Sequence, residues 1–475
     1  MFVNGVWEKG VRGETFQVYN PATGEVLADV ADCNHEDTIR AIEAAHTAFP
    51  KWASLTAYER SRILYKAHQL MLERREQLAK VMTQEQGKPI RAALNEVGYG
   101  ADFLLWYAEE AKRIYGETIP APRTGQRFIL AHQPIGVVAA ITPWNYPASM
   151  ITRKVAPALA AGCTVVLKPA EATPLCAIEI FKILEEAGVP PGVINLVTAS
   201  DPGPIGEAFV TNPLVRKITF TGSTATGKLL GSGAAAHVKR ISMELGGHAP
   251  FLVLKDADPV HAAKGAGLVK FLNTGQACIC PNRFLVHDSL VEAFTNELVS
   301  RVQKLQAGNG LDPGIAIGPL VNLKAIEKVE RQVDDAISKG AQLLTGGHRL
   351  TEGHLSNGFF YAPTVLGGVT PEMLIYREET FGPVAPIISF SDDDDLLDMA
   401  NDTHYGLAAY VYTQNLAAAI KTFEGLEFGI IGINDINPTA AAVPFGGMKE
   451  SGLGREGGRE GLADYLETKI GGFAI

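Results

Sequence analysis

Cys278 lies in FLNTGQACICPNR, a segment of small and polar residues around a sulfur that a substrate could reach. A free cysteine is usually a small buried hydrophobe. Here Gly275, Gln276 and Pro281 favour an exposed turn, where a thiolate would serve as a nucleophile. Acyl chemistry at such a sulfur also needs a base and a donor for the developing oxyanion. Glu244, in ISMELGGHAP, is a carboxylate at the end of an apolar run, and desolvation there raises a pKa into the range of a general base. The competing reading is a buried glutamate held by backbone N–H groups. Asn145, in ITPWNYP, could give its side-chain amide to an oxyanion, though beside Pro and Trp it could equally be a turn residue.

Two further segments suit a phosphorylated ligand. RKITFTGSTATGKLLG reads as a strand, Gly222, then a helix whose free N–H groups and positive dipole end favour an anion. Gly222, Gly227 and Lys228 nearly form a phosphate-binding loop of the ATPase kind, but Leu229 has no hydroxyl for magnesium. A plain strand-to-helix turn remains the alternative. TVVLKPAE ends a buried strand in Lys168 and Glu171, at the carboxyl edge where open α/β sheets bind ligands. A glutamate there accepts hydrogen bonds from a ribose diol and repels a 2′-phosphate, which favours NAD over NADP; a surface ion pair is the other reading.

The elements that must position these residues follow from periodicity. Thr56 and Glu59 form a capping box, and Ile63, Leu64, Ala67, Leu70, Met71, Leu78, Val81 and Met82 recur at helical spacing, which predicts one long amphipathic helix ending at Gly87 and Pro89. From Ile135, β-branched runs (GVVAAI, TVVLK, GVINLV, RKITFTG, APFLVL) alternate with Ala-rich helical stretches such as 153–161 and 175–187. Such alternation predicts βαβ units and a parallel sheet. A second series begins after Pro250, with helices near 259–272 and 290–305, and runs to about Phe428. Asp392 to Asp395 reads as a solvated helix start, a divalent-ion site being the other possibility. The tail PFGGMKESGLGREGGREG reads as an ordered, irregular segment that crosses something at close range.

Composition bounds the function. A chain of 475 residues, 46% hydrophobic and 20% charged, is globular and long enough for two large lobes. A net charge of -10 argues against a nucleic-acid partner, which needs a concentrated basic face. The start MFVNGVWEKG lacks a leader pattern, and the longest apolar runs, such as 135–141, fall far short of the roughly 20 residues that span a bilayer. A cytoplasmic protein with no membrane partner is expected. The five cysteines (Cys33, Cys163, Cys176, Cys278 and Cys280) do not form a disulfide framework, and no pair of them has zinc-ligand spacing, so no metal is expected.

TPWNYP, KPAE, FTGST, MELGG, GQACICPNR and REETFGPV, in this order over nearly the whole chain, resemble the aldehyde dehydrogenase superfamily. The resemblance implies an α/β fold with a Rossmann-type NAD-binding domain (1–111 and 135–246), an α/β catalytic domain (247–445), and a small β oligomerisation arm with the C-terminal tail (112–134 and 446–475). Homodimers or homotetramers are implied too. By the family pattern Cys278 attacks the aldehyde, whose oxygen rests against the Asn145 amide and the Cys278 N–H. The thiohemiacetal gives hydride to nicotinamide, and Glu244 activates the water that hydrolyses the thioester. Lys168 matches both the catalytic and the cofactor set. Trp144, Lys168 and Glu171 match the adenosine end, Gly222 and Ser223 the pyrophosphate, and Glu379 and Phe381 the nicotinamide ribose, with Leu245 also in the cofactor set.

Within the superfamily, MITRKVAPALAAGC, the pair Cys278 and Cys280, and PFGGMKESGLGREGG are most similar to succinate-semialdehyde dehydrogenases. Arg153 matches an arginine that grips the substrate's distal carboxylate there. Two other positions depart, with Leu272 in place of an arginine and Gly458 in place of a serine. Cys280 is implied as a possible redox partner of Cys278, in a strained and easily reduced ring. A CoA-acylating variant, a broad-specificity enzyme, or a non-catalytic protein on the same fold are the alternatives.

Overall fold

The β-branched runs after Ile135 form the parallel centre of an eight-stranded sheet in a computed structural model that describes residues 1–475. Across the sheet the parallel strands run Arg240–Glu244, Val215–Thr221, Val137–Ile141, Thr164–Lys168 and Ile194–Leu196. In chain order these are the fifth, fourth, first, second and third, so the order reverses between Val137–Ile141 and Val215–Thr221. Dinucleotides bind at such a reversal, outside the carboxyl ends of the strands. The register aligns those ends, pairing Ile141 with Lys168, Phe220 with Ile141, and Thr221 with Glu244. One sheet edge therefore carries Lys168, the turn to Asn145, Gly222 and Glu244.

Helices cover this sheet, and one of them, Pro147–Ala161, is buried at every residue. It starts with proline at its first position and ends at Gly162, which takes a left-handed φ of 98°. The capping box forms as expected, with Thr56 N–H donating to Glu59 Oε2 at 2.7 Å and Glu59 N–H to Thr56 Oγ1 at 3.3 Å. The single long helix predicted beyond it is instead two, Ala57–Glu73 and Arg75–Gln86, separated at Arg74. No glycine or proline marks this break. It lets Leu78, Ala79 and Met82 turn into the core shared with helices Ile90–Glu110 and Pro174–Ala187, a tertiary demand that spacing does not reveal.

The second series forms a seven-stranded sheet between Ala249 and Ile433, parallel except for its first strand pair. The helices predicted there run Pro259–Phe271 and Asp288–Val302, the second ending three residues early. Asp395 caps the helix Leu396–Asn401 through Leu397 and Asp398 N–H, so the acidic run is a helix start. A third sheet joins Leu466–Ala474, Gln126–Pro134 and Glu117–Ile119. The tail does not all belong with it. Gly452–Leu453 pairs with Met243 and Glu244 at the edge of the first sheet, where a Cβ on Gly452 would stand 2.0 Å from the Met243 carbonyl. That is the close crossing the glycines implied. No helix is long and apolar enough to cross a membrane.

Candidate active site

The loop before Cys278 is tied down rather than an exposed turn. Asn273, Thr274 and Gly275 take consecutive left-handed conformations, with φ of 49°, 59° and 75°. Two of these are not glycine, and such strain persists only where the surroundings over-determine it. They do so here: Thr274 donates to the Gly318 carbonyl (3.0 Å), Gln276 Nε2 to the Pro319 carbonyl (3.2 Å), and Val321 N–H to Gln276 Oε1 (3.0 Å). Cys278 is half-buried, and loss of water pushes its thiol up to about 12 against the pull of Arg153. Burial thus favours the neutral thiol over the thiolate that an exposed turn would allow.

Glu244 ends its strand fully enclosed, and burial first, then the nearby Glu456 carboxylate, holds its pKa well above the usual carboxylate range. Its Oε2 has no hydrogen-bond partner. The reading of a glutamate clamped by backbone donors therefore does not hold for that oxygen. Asn145 donates Nδ2 to the Gln276 carbonyl at 3.0 Å, which uses one amide hydrogen and leaves the other. Gly247 brings the nucleophile loop beside Glu379: a Cβ there would lie 2.2 Å from the Cys278 carbonyl, while its N–H donates to Glu379 Oε1 at 2.9 Å.

The crevice at the strand-order reversal has the features of a dinucleotide cradle. Ser223 caps the helix Thr224–Ala236 by accepting from Thr226 N–H at 3.3 Å, and that helix follows directly on the strand Val215–Thr221 at the reversal. Gly222 N–H donates to the Glu244 carbonyl, and Leu245 packs so closely on Gly227 that a Cβ would sit 2.3 Å away. The hydroxyls of Thr142, just past one flanking strand, and Thr221, the last residue of the other, are buried without partners. Glu379 accepts from the chain at Oε1 alone. Trp144, expected at the adenosine end, instead meets Phe381 edge-on, with ring centroids 5.5 Å apart. The two rings share one neighbourhood. Glu171 pairs with Lys168 at 3.2 Å. The ammonium offsets the carboxylate, which weakens the argument that Glu171 repels a 2′-phosphate.

The family model "Aldehyde dehydrogenase family" matches residues 7–470. The chain belongs to the aldehyde dehydrogenase family. A 3-sulfolactaldehyde dehydrogenase of Pseudomonas putida is 49% identical over 98% of this chain and 95% of its own length. The NADP(+) succinate-semialdehyde dehydrogenase of Escherichia coli is 49% identical over 98% and 96%. A crystal structure of an NADP-dependent enzyme from E. coli superposes with a TM-score of 0.97 at 48% identity, covering 100% of this chain and 98% of that one. The protein is an aldehyde dehydrogenase oxidoreductase with the family's α/β fold.

Some of this aldehyde dehydrogenase's site was not visible in the sequence. Arg153 is 1% exposed, pairs through Nε with Glu456 Oε2 at 3.0 Å, and stacks its guanidinium 3.9 Å over the Phe445 ring. Lys154 Nζ holds the other oxygen of Glu456. The guanidinium expected to grip a substrate carboxylate is thus paired with an internal acid, while its buried Nη2 has no hydrogen-bond partner. Cys280 is likewise turned away, its Sγ 3.4 Å from the Lys270 carbonyl at the end of a helix, so a disulfide with Cys278 would require leaving that contact. Glu456, Lys154 and Asn273 went unnoticed, and Gln276 was read only as a turn residue, because each acts through a partner remote in sequence.

Proposed function

We propose that this chain oxidises an aldehyde bearing a distal anionic group to a carboxylate, through a thioester on Cys278 and with a nicotinamide dinucleotide. The observation that carries this reading is Gly247, whose backbone lies against the Cys278 carbonyl on one side and Glu379 on the other. It sets the sulfur beside the nicotinamide end of the cradle. A dinucleotide held by Lys168, Glu171, Gly222, Ser223, Leu245, Trp144, Glu379 and Phe381 would accept the hydride. Cys278 attacks the carbonyl carbon, and the free hydrogen of the Asn145 amide stabilises the oxyanion in a water-poor site. Glu244 then takes a proton from the water that hydrolyses the thioester, and its raised pKa makes it a strong base once ionised. Transfer to the thiol of CoA would leave Glu244 without this task.

Succinate semialdehyde leads among substrates, supported by relatives named for a carboxylate-bearing and a sulfonate-bearing aldehyde. The cationic field of Arg153 points the same way, although Glu456 shares it. Leu272 offers no charge, and Gly458 takes a left-handed φ of 59° that strains any side chain placed there. Missing one charged partner costs about 1.5 to 3 kcal/mol of substrate binding. Both NAD and NADP are taken as candidates, because Lys168 neutralises Glu171. The three sheets correspond to the two domains and the arm, and the exposed Ile470 and Phe473 on an edge strand make that arm the oligomer contact. A panel of succinate, glutarate and uncharged aldehydes, followed at 340 nm with each dinucleotide, tests the reading. Higher kcat/KM for the acids, with all turnover lost in Cys278→Ala, is expected; turnover surviving in Cys278→Ala would overturn it.

A further inference from the structure

Lys88 sits in the short turn between helices Arg75–Gln86 and Ile90–Glu110, is 1% exposed, and touches no part of the reaction centre by sequence. Its ammonium pairs with buried Glu96, donates to the Asn145 main-chain carbonyl at 2.7 Å, and lies 3.9 Å over the Tyr146 ring. Asn273 Nδ2 donates to the same carbonyl at 3.0 Å, so both lone pairs of that oxygen are engaged. Glu96 Oε1 accepts the N–H groups of Ala148 (2.9 Å) and Ser149 (3.2 Å), the first turn of the helix that follows Asn145. The ion pair thus grips the 145–149 segment at both ends.

The same pair is anchored in the other lobe. Ile90 N–H donates to the Gly310 carbonyl at 2.8 Å, a Cβ on Gly310 would stand 2.5 Å from the Lys88 carbonyl, and one on Gly318 would stand 2.1 Å from the Gly87 carbonyl. Residues 318 and 319 are also the acceptors that hold Thr274 and Gln276 in the nucleophile loop. One frame therefore fixes the Asn145 peptide and the loop of Cys278. A buried ammonium is expensive to desolvate, and caps alone would need only the carboxylate.

We propose that Lys88, paired with Glu96, is a positioning residue for the oxyanion donor: it fixes the Asn145 peptide plane so that the free amide hydrogen is aimed at the substrate oxygen beside Cys278. This rests on the reading of Asn145 given above. Lys88→Met alone strands a buried carboxylate, so the decisive variant is the charge-balanced Lys88→Met/Glu96→Gln, whose Gln still caps the helix. The full-length enzyme is assayed as this variant, as Asn145→Ala, and as the triple variant. The charge-balanced variant should lose about 10- to 100-fold in kcat, while the dinucleotide KM stays within about threefold. Added to Asn145→Ala, the same two substitutions should lower kcat by less than about threefold further, because residues acting through one another are not additive. A kcat within about threefold of the parent, a shifted dinucleotide KM of similar size, or a full further loss on the Asn145→Ala background would each overturn the proposal. An Asn145→Ala enzyme with undiminished kcat would instead remove the oxyanion reading beneath it.

Discussion

At the residue scale, the reacting groups are defined by desolvation as much as by identity. Cys278 and Glu244 are both held towards their neutral forms by burial, so the base required at thioester hydrolysis becomes available only as pH rises through the raised Glu244 pKa. Steady-state turnover is expected to climb with pH above neutrality, and alkylation of Cys278 by iodoacetamide with it; flat profiles for both between pH 6 and about 9 would contradict this. Glu244→Gln should keep a single-turnover burst of reduced dinucleotide and slow the steady state by about 10²- to 10⁴-fold. The substrate's far end is open to the converse experiment. Leu272→Arg, at a half-exposed position, should raise kcat/KM for succinate semialdehyde about tenfold or more over a neutral aldehyde of equal length.

At the element scale, two helix starts are capped by buried carboxylates from the first helical series: Glu96 serves Pro147–Ala161, and Glu85 accepts from Leu175 and Cys176 N–H at 2.8 Å each at the start of Pro174–Ala187. Burial raises Glu85 from 4.5 to about 8. A carboxyl raised on folding gives stability that is complete below its unfolded value and declines as pH rises through the folded one. Tm should therefore fall between about pH 4.5 and 8, and Glu85→Gln should flatten that slope, as differential scanning calorimetry would show. Much at this scale was legible. The Thr56 capping box, the βαβ alternation and the Asp395 helix start form as their residues demand, because each signal is local. The break at Arg74 was not, nor the enclosure of the Cys278 loop, whose small polar residues are satisfied by carbonyls forty residues away. Motifs picked out Asn145, Glu244 and Gly222, which the sheet brings to one edge, whereas Arg153's partner Glu456 lies 303 residues on in a glycine-rich tail that spacing alone reads as backbone.

At the scale of the whole molecule, the two lobes meet at Gly246, whose N–H donates to Thr224 Oγ1 at 3.2 Å and whose Cβ would stand 3.2 Å from Glu379 Oε2, and the tail returns across the end of the strand that carries Glu244. The arm exposes Ile129, Ile470 and Phe473. Ile470→Lys is expected to shift the enzyme towards monomer in sedimentation, with the dinucleotide cradle left intact. The central claim is that hydrogen leaves a carbon bonded to Cys278. It is tested most directly by mixing Glu244→Gln enzyme with dinucleotide and succinate semialdehyde, quenching in acid, and mapping the acyl group by mass spectrometry. A burst of reduced dinucleotide matched by one succinyl group on the Cys278 peptide is the predicted result. An equal burst with the acyl group on another residue, or on none, would contradict the mechanism.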